Sequence, residues 1–229
     1  YAPKCARYGC KTRTVQKATR SFVFVRPALL IVDDRVELDE PDVSVVWAAH
    51  LTKQPALDGD LASALVGGSR VDVRTLEPAG APHRAPREPT PSGEGSHRAN
   101  KPWGPMWRLE VESPTGARSR GFLHAISAGP AALAPPPARS LSGQHVRGVA
   151  LRGAGESVGV LWAEPDTRAE ATLDGSLDVL VVAGLTPGRR YRVDVDGACH
   201  LAIAPADGGA SLVATSGGFV RTSAHCGAH

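Results

Sequence analysis

The chain has 229 residues, enough for one large β domain or two small ones, and 42% are hydrophobic, enough to fill a sizeable core. Its 26 basic and 23 acidic residues leave a net charge of +3, and the interspersed signs exclude the one-sided field that nucleic-acid binding needs. No apolar run approaches the roughly 20 residues of a membrane-spanning helix, so no membrane span is expected.

Twenty-five glycines and 19 prolines, with a single methionine, punctuate short Val-, Leu- and Ala-rich runs along the whole length. That punctuation predicts many strands joined by turns. The fold class expected is all-β: an antiparallel β-sandwich, either one large multi-stranded body or two stacked sandwich subdomains. Residues 1–19 are basic and irregular, with a strand after Cys10 as an option, and read as an N-terminal segment looped by a disulfide. The first sandwich part spans 20–140. Within it, Arg20–Arg26 and Leu29–Val36 are β-branched and aromatic runs too short for helices, separated by Pro27. Val43–Leu51 follows, carrying Trp47 and His50. Arg70–Arg74 alternates polar and apolar with period two, as a half-buried strand does.

Residues 79–102 hold Pro, Gly, Ser, His and Arg with almost nothing apolar, which predicts a long, exposed, mobile loop. Strand signals resume at Met106–Val111 and Gly121–Ile126. Residues 131–140 include Pro135, Pro136 and Pro137, which favour an extended polyproline path. The second sandwich part, 141–229, shows the short strand spacing of a sandwich. Its strands are Val146–Leu151, Val158–Ala163, Leu177–Val182, Tyr191–Val195, His200–Ala204, Ser211–Ala214 and Phe219–Thr222. The chain starts at Tyr1 without an initiator methionine or signal peptide, as a processed product or a fragment of a longer reading frame does.

The cysteines are Cys5, Cys10, Cys199 and Cys226, and four cysteines permit three pairings. Proximity favours Cys5–Cys10 and Cys199–Cys226; closing the second loop stabilises by roughly 3 kcal/mol in the chain-entropy model. The spacing is a poor match to a zinc site. The tail from His225 to His229 is at most an adventitious ligand set, so no metal and no cofactor is expected. An even cysteine count suggests an oxidising compartment, hence a secreted protein, extracellular or periplasmic.

Catalytic chemistry is hard to find. The sequence has no phosphate-cradling glycine loop, no nucleophile elbow and no His-Glu-x-x-His. Asp33 and Asp34 are adjacent, so on a strand they point to opposite faces and cannot be the paired carboxylates of a glycosidase. One is expected to face solvent and the other to bond a turn. No catalytic residue is assigned. Candidate contact residues for a carbohydrate are His50 and Lys53 at a strand end, Trp103 as a stacking platform and Arg98 in the basic loop, although His50 reads first as an amphipathic strand-end residue and the basic loop first as a solvated one. His124, among Phe122, Leu123 and Ile126, reads as a satisfied core histidine, and Trp107 as core.

Residues 20–36, with Arg20-Ser21-Phe22-Val23-Phe24-Val25-Arg26-Pro27 leading to Val32-Asp33-Asp34-Arg35-Val36, resemble a strand pair of heparinase II/III-like polysaccharide lyases. Val45–Leu51, Trp107–Val111, Gly121–Ile126 and Gly184–Val193 are similar to later strands of that family's sandwich, so the resemblance covers most of 20–222. It implies a helical toroid followed by a β-sandwich, and β-elimination of glycans containing uronic acid. That chemistry needs a charge sink at the carboxylate, a base and an acid. In the family these groups belong to the toroid and the early sandwich, so the resemblance carries no catalytic residue to this chain. It implies a structural role for Asp33–Arg35. The partners it implies are the N-terminal catalytic toroid of the same enzyme and an anionic polysaccharide. The alternative is a stand-alone extracellular carbohydrate-binding or structural β-sandwich module.

Overall fold

The computed structural model describes residues 14–88, 106–152 and 155–226. Among them there is no helix, and the chain is all-β. It divides into unit 1, residues 1–134, and unit 2, residues 135–229. The division precedes the expected 140/141 boundary because residues 138–140, read as part of the proline-rich path, already belong to the first strand of unit 2.

Unit 1 contains β1 (Val15–Val25), β2 (Leu29–Leu38), β3 (Val46–Leu51), β4 (Ala56–Asp58), β5 (Leu61–Val66), β6 (Ser69–Glu77), β7 (His83–Arg84), β8 (Arg87–Glu88), β9 (Met106–Glu112) and β10 (Ser119–Pro130). Six of these form a sheet in the order β1-β2-β10-β6-β5-β4, and a second sheet runs β3-β9-β7 with β8 also on β9. β1 begins at Val15, so residues 15–19 take the strand option left open after Cys10. Pro27 has no N–H to give to a ladder, and the pairing turns there, with Val25 opposite Leu29. Trp47, Leu109 and Val111 from one sheet pack with Ala62, Val73 and Phe122 from the other. On β9 the alternation is plain: Leu109 and Val111 are buried while Arg108, Glu110 and Glu112 stay half-buried on the opposite side.

The expected loop over 79–102 is corrected in part. His83–Arg84 and Arg87–Glu88 pair with β9, and Arg84 is drawn there by Glu112, 3.1 Å away. Residues 89–102 lie outside the described residues, as do Cys5 and Cys10.

Unit 2 contains β11 (Ala138–Gln144), β12 (Val146–Arg152), β13 (Ser157–Ala163), β14 (Ala169–Thr172), β15 (Leu177–Ala183), β16 (Arg190–Val195), β17 (His200–Pro205), β18 (Leu212–Val213) and β19 (Val220–Ala224). They make one nine-stranded sheet, β18-β16-β17-β14-β11-β12-β13-β15-β19. Its pairs are antiparallel except β13 with β15. Leu161, Leu177, Leu180, Tyr191, Leu201 and Val220 share one interior. Side chains from near both ends of the strand order therefore meet, and the sheet curls around its own core. The hydroxyl of fully buried Tyr191 accepts from the Thr186 N–H at 3.0 Å and donates to the Asp166 carboxylate at 3.3 Å, satisfying the one polar atom the ring carries inside. Cys199 and Cys226 form a disulfide, the pairing that proximity favoured.

Candidate functional site

His50 and Lys53 are both exposed, His50 on β3 and Lys53 just after it. On a strand Trp47 and His50 must face opposite ways, so burying Trp47 turns His50 outward, where it lies opposite Arg108 of β9. That outer face is an ionic network: Arg108 pairs with Glu110, Arg84 reaches Glu112, and the Ser44 hydroxyl donates to Glu112 at 2.5 Å. The other two contact candidates, Trp103 and Arg98, lie outside the described residues. Trp107 is half-buried on β9.

Inside unit 1 the register assembles polar groups that the sequence keeps apart. Arg20 and Phe122 both stand opposite Asp34, on the strands either side of it. Arg20 Nε donates to Asp34 Oδ1 at 2.6 Å, and the Asp34 side chain is only 8% exposed. Asp33, on the other face, is also buried, with the Arg35 Nε 3.7 Å away. The expectation of one solvent-facing and one turn-bonding aspartate is therefore corrected. They do occupy opposite faces, but both are buried, because β2 is an inner strand with β1 and β10 on its two sides. Arg20, Asp34, Val36, Trp47 and Phe122 line a groove of about 360 Å³. Asp34 Oδ2 and the Trp47 indole nitrogen are buried beside it without a hydrogen-bond partner.

One register step further, His124 lies opposite Val32 and Thr75. It is fully buried and stacks on Trp47 with ring centroids 3.8 Å apart. Its Nδ1 is 3.1 Å from the Thr75 hydroxyl, which is 2.8 Å from His83 Nε2. The histidine is core as expected, but satisfied at one nitrogen only, since Nε2 has no partner. Burial, then the nearby His83 and Arg20 charges, push its pKa down to about 3, and burial lowers that of His83. Such an imidazole is neutral at neutral pH and a weak base, so the string His124–Thr75–His83 is suited to hydrogen bonding rather than proton abstraction.

Unit 2 carries a different concavity, a trough of about 570 Å³ on the outer side of β11, β14, β16 and β17. Its floor follows from register. Ala202 of β17 lies opposite Glu170 of β14 on one side and Asp194 of β16 on the other. A small side chain between two long ones leaves a channel. With strands 4.7–4.9 Å apart, the walls rise from backbones about 10 Å apart. Arg168 Nε donates to Glu170 at 2.5 Å along one wall, and Arg192 Nε pairs with Asp194 at 2.7 Å along the other. Thr172 and His200 meet at 3.2 Å at one end. There Asp196 accepts from the backbone N–H groups of Ala198 and His200, both at 2.9 Å, building the turn into β17.

None of these trough residues was singled out from the sequence. The signal available was the pair of Arg-x-acid repeats, Arg168-Ala169-Glu170 and Arg192-Val193-Asp194, flanking the alternation His200-Leu201-Ala202-Ile203-Ala204. Period two puts each Arg and its acid on one face. Among the described residues no group of three or more His, Cys, Asp or Glu side chains is arranged to hold a metal ion. No protein-family model matches the chain, and no curated protein matches it.

Proposed function

We propose that this chain is the carboxyl-terminal β-sandwich portion of a secreted heparinase II/III-like polysaccharide lyase, a scaffold that braces a catalytic toroid and walls its substrate cleft. One observation carries the reading: the resembling segments from unit 1 are neighbouring strands there. β1 pairs with β2, β2 with β10, and β3 with β9. Separate likenesses of sequence thus fall on strands that touch, as parts of one ancestral sandwich do. The resemblance gives Asp33–Arg35 a structural role, and the burial of Asp34 against Arg20 supports it. His124 is too weak a base to take the proton beside a uronate carboxylate at neutral pH, so the groups that perform elimination belong to the toroid in this reading.

The test is an elimination assay on heparin and alginate, following the ultraviolet absorbance of unsaturated products. The purified chain is expected to be inactive. A sequence encoding paired helices of a toroid is expected before the Tyr1 codon in the transcript. Elimination by the chain alone, or an upstream sequence of another kind, overturns the reading. A second reading, an extracellular carbohydrate-binding module, is favoured by the trough on unit 2 and is compatible with the Cys199–Cys226 disulfide.

A further inference from the structure

We infer that the trough on unit 2 is a binding site for an uncharged, hydroxyl-rich glycan segment, gripped between Arg168 and Glu170 on one wall and Arg192 and Asp194 on the other. The inference stands on the trough itself and is independent of the lyase reading.

The walls first need a reason to exist. Exposed ion pairs contribute little to stability, and the Arg168 and Arg192 side chains are 62% and 59% exposed. The fold is served by the buried neighbours Ala169, Ala171, Leu201 and Ile203, not by this charged outer face. Alanine is also a poor strand former, yet Ala202 occupies the centre of the channel, where a larger residue would fill it. The face therefore combines a recessed floor with polar walls, which neither packing nor propensity requires.

The chemistry of the walls selects the ligand. A guanidinium only donates hydrogen bonds and a carboxylate only accepts them. Each wall therefore presents donor and acceptor side by side, the complement of a hydroxyl group, which does both. The pairs are formed without ligand, so the groups are already oriented and little is lost in ordering them on binding. Charge then narrows the class. Two arginines face three carboxylates, Glu170, Asp194 and Asp196, so acidic groups outnumber guanidinium groups in the lining. A uronate or sulfated chain is repelled, whereas a neutral glycan is not. No Phe, Tyr or Trp lines the trough, so no large aromatic platform adds stacking. Binding is expected to be weak, with Kd of about 0.1–1 mM, near −5 kcal/mol.

The test is affinity electrophoresis of the whole chain in gels carrying galactomannan, mixed-linkage β-glucan or xyloglucan, with alginate as the anionic arm. Retardation by at least one neutral polymer and none by alginate is expected. Glu170→Gln and Asp194→Asn, both on the solvent face, should each weaken retardation about tenfold, the size of one charge-assisted hydrogen bond. Ala202→Leu should abolish it by filling the floor. Thermal melting of the glutamine and asparagine variants should match the parent, so a loss of binding in them is not a loss of fold. Failure of all three neutral polymers, preference for alginate, or unchanged binding in both amide variants overturns the inference.

Discussion

The two units solve the problem of an interior differently. Asp33, Asp34, Asp72, Thr75, Ser113, Arg120 and His124, which are the buried polar and charged side chains among the described residues, all lie in unit 1. The shared interior of unit 2 is aliphatic apart from Tyr191, and a disulfide ties the start of β17 to the segment after β19. Buried polar groups hold only while each keeps its partner and its protonation state; an aliphatic core closed by a covalent link has neither requirement. Unit 1 should therefore respond to pH and to the loss of single side chains, and unit 2 to reductant.

The largest expected effect is at Trp47, 5% exposed and stacked on His124. Trp47→Ala should cost about 3–5 kcal/mol, read by urea denaturation, with hydrogen exchange accelerating first in β2, β3, β9 and β10. Equal acceleration throughout unit 2 would break the comparison. Next, Cys226→Ser opens a loop spanning 27 positions and should cost about 3–4 kcal/mol in the chain-entropy model. Here the exchange should quicken in β17 and β19; an unchanged denaturation midpoint would deny the disulfide its role.

Acid gives a smaller and graded effect. His124 has an ordinary pKa of 6.5 when unfolded and about 3 when folded, so below pH 6.5 the unfolded chain takes up a proton that the folded chain refuses. Stability from this group is complete above pH 6.5. It falls by up to about 1.4 kcal/mol per pH unit as pH drops towards 3. His124→Gln should flatten that slope in denaturation curves between pH 4 and 6.5; an identical slope in the variant would assign the acid response elsewhere. The smallest effect is expected at Arg168→Ala, whose exposed pair with Glu170 should change stability by less than about 1 kcal/mol. A larger shift in thermal melting would make the trough wall part of the fold's support.

Strands rich in β-branched and aromatic residues were legible from sequence: β2, β13, β15 and β16 lie close to their expected spans, while β10 runs from Ser119 to Pro130, well beyond the expected Gly121–Ile126. β5, β11 and β14 were not. Their Ala, Ser, Glu and Gly content carries little strand preference, and they are extended because neighbours supply ladders. β14, for example, pairs with both β11 and β17. Gly143 shows how close that pairing comes, since a Cβ there would overlap the Glu170 carbonyl. The opposed faces of Asp33 and Asp34 were readable from strand periodicity. Their burial was not, because it depends on β1 and β10 arriving on the two sides of β2. The trough was hidden for the same reason: its walls belong to strands brought together by register, and register is not written in any single segment. The Cys199–Cys226 link was legible because it needs only nearness along the chain.

The single parallel pair in unit 2 has a consequence for how that unit assembles. β12 and β13 pair from Val146 with Ala163 to Arg152 with Ser157, and this hairpin needs only residues close in sequence. β15 reaches the other edge of β13 after the chain has travelled away to lay down β14 beside β11 and come back. The sheet cannot zip outward from one hairpin in sequence order. Its completion waits on distant stretches of chain finding one another, the kind of closure that makes β topologies slow to fold.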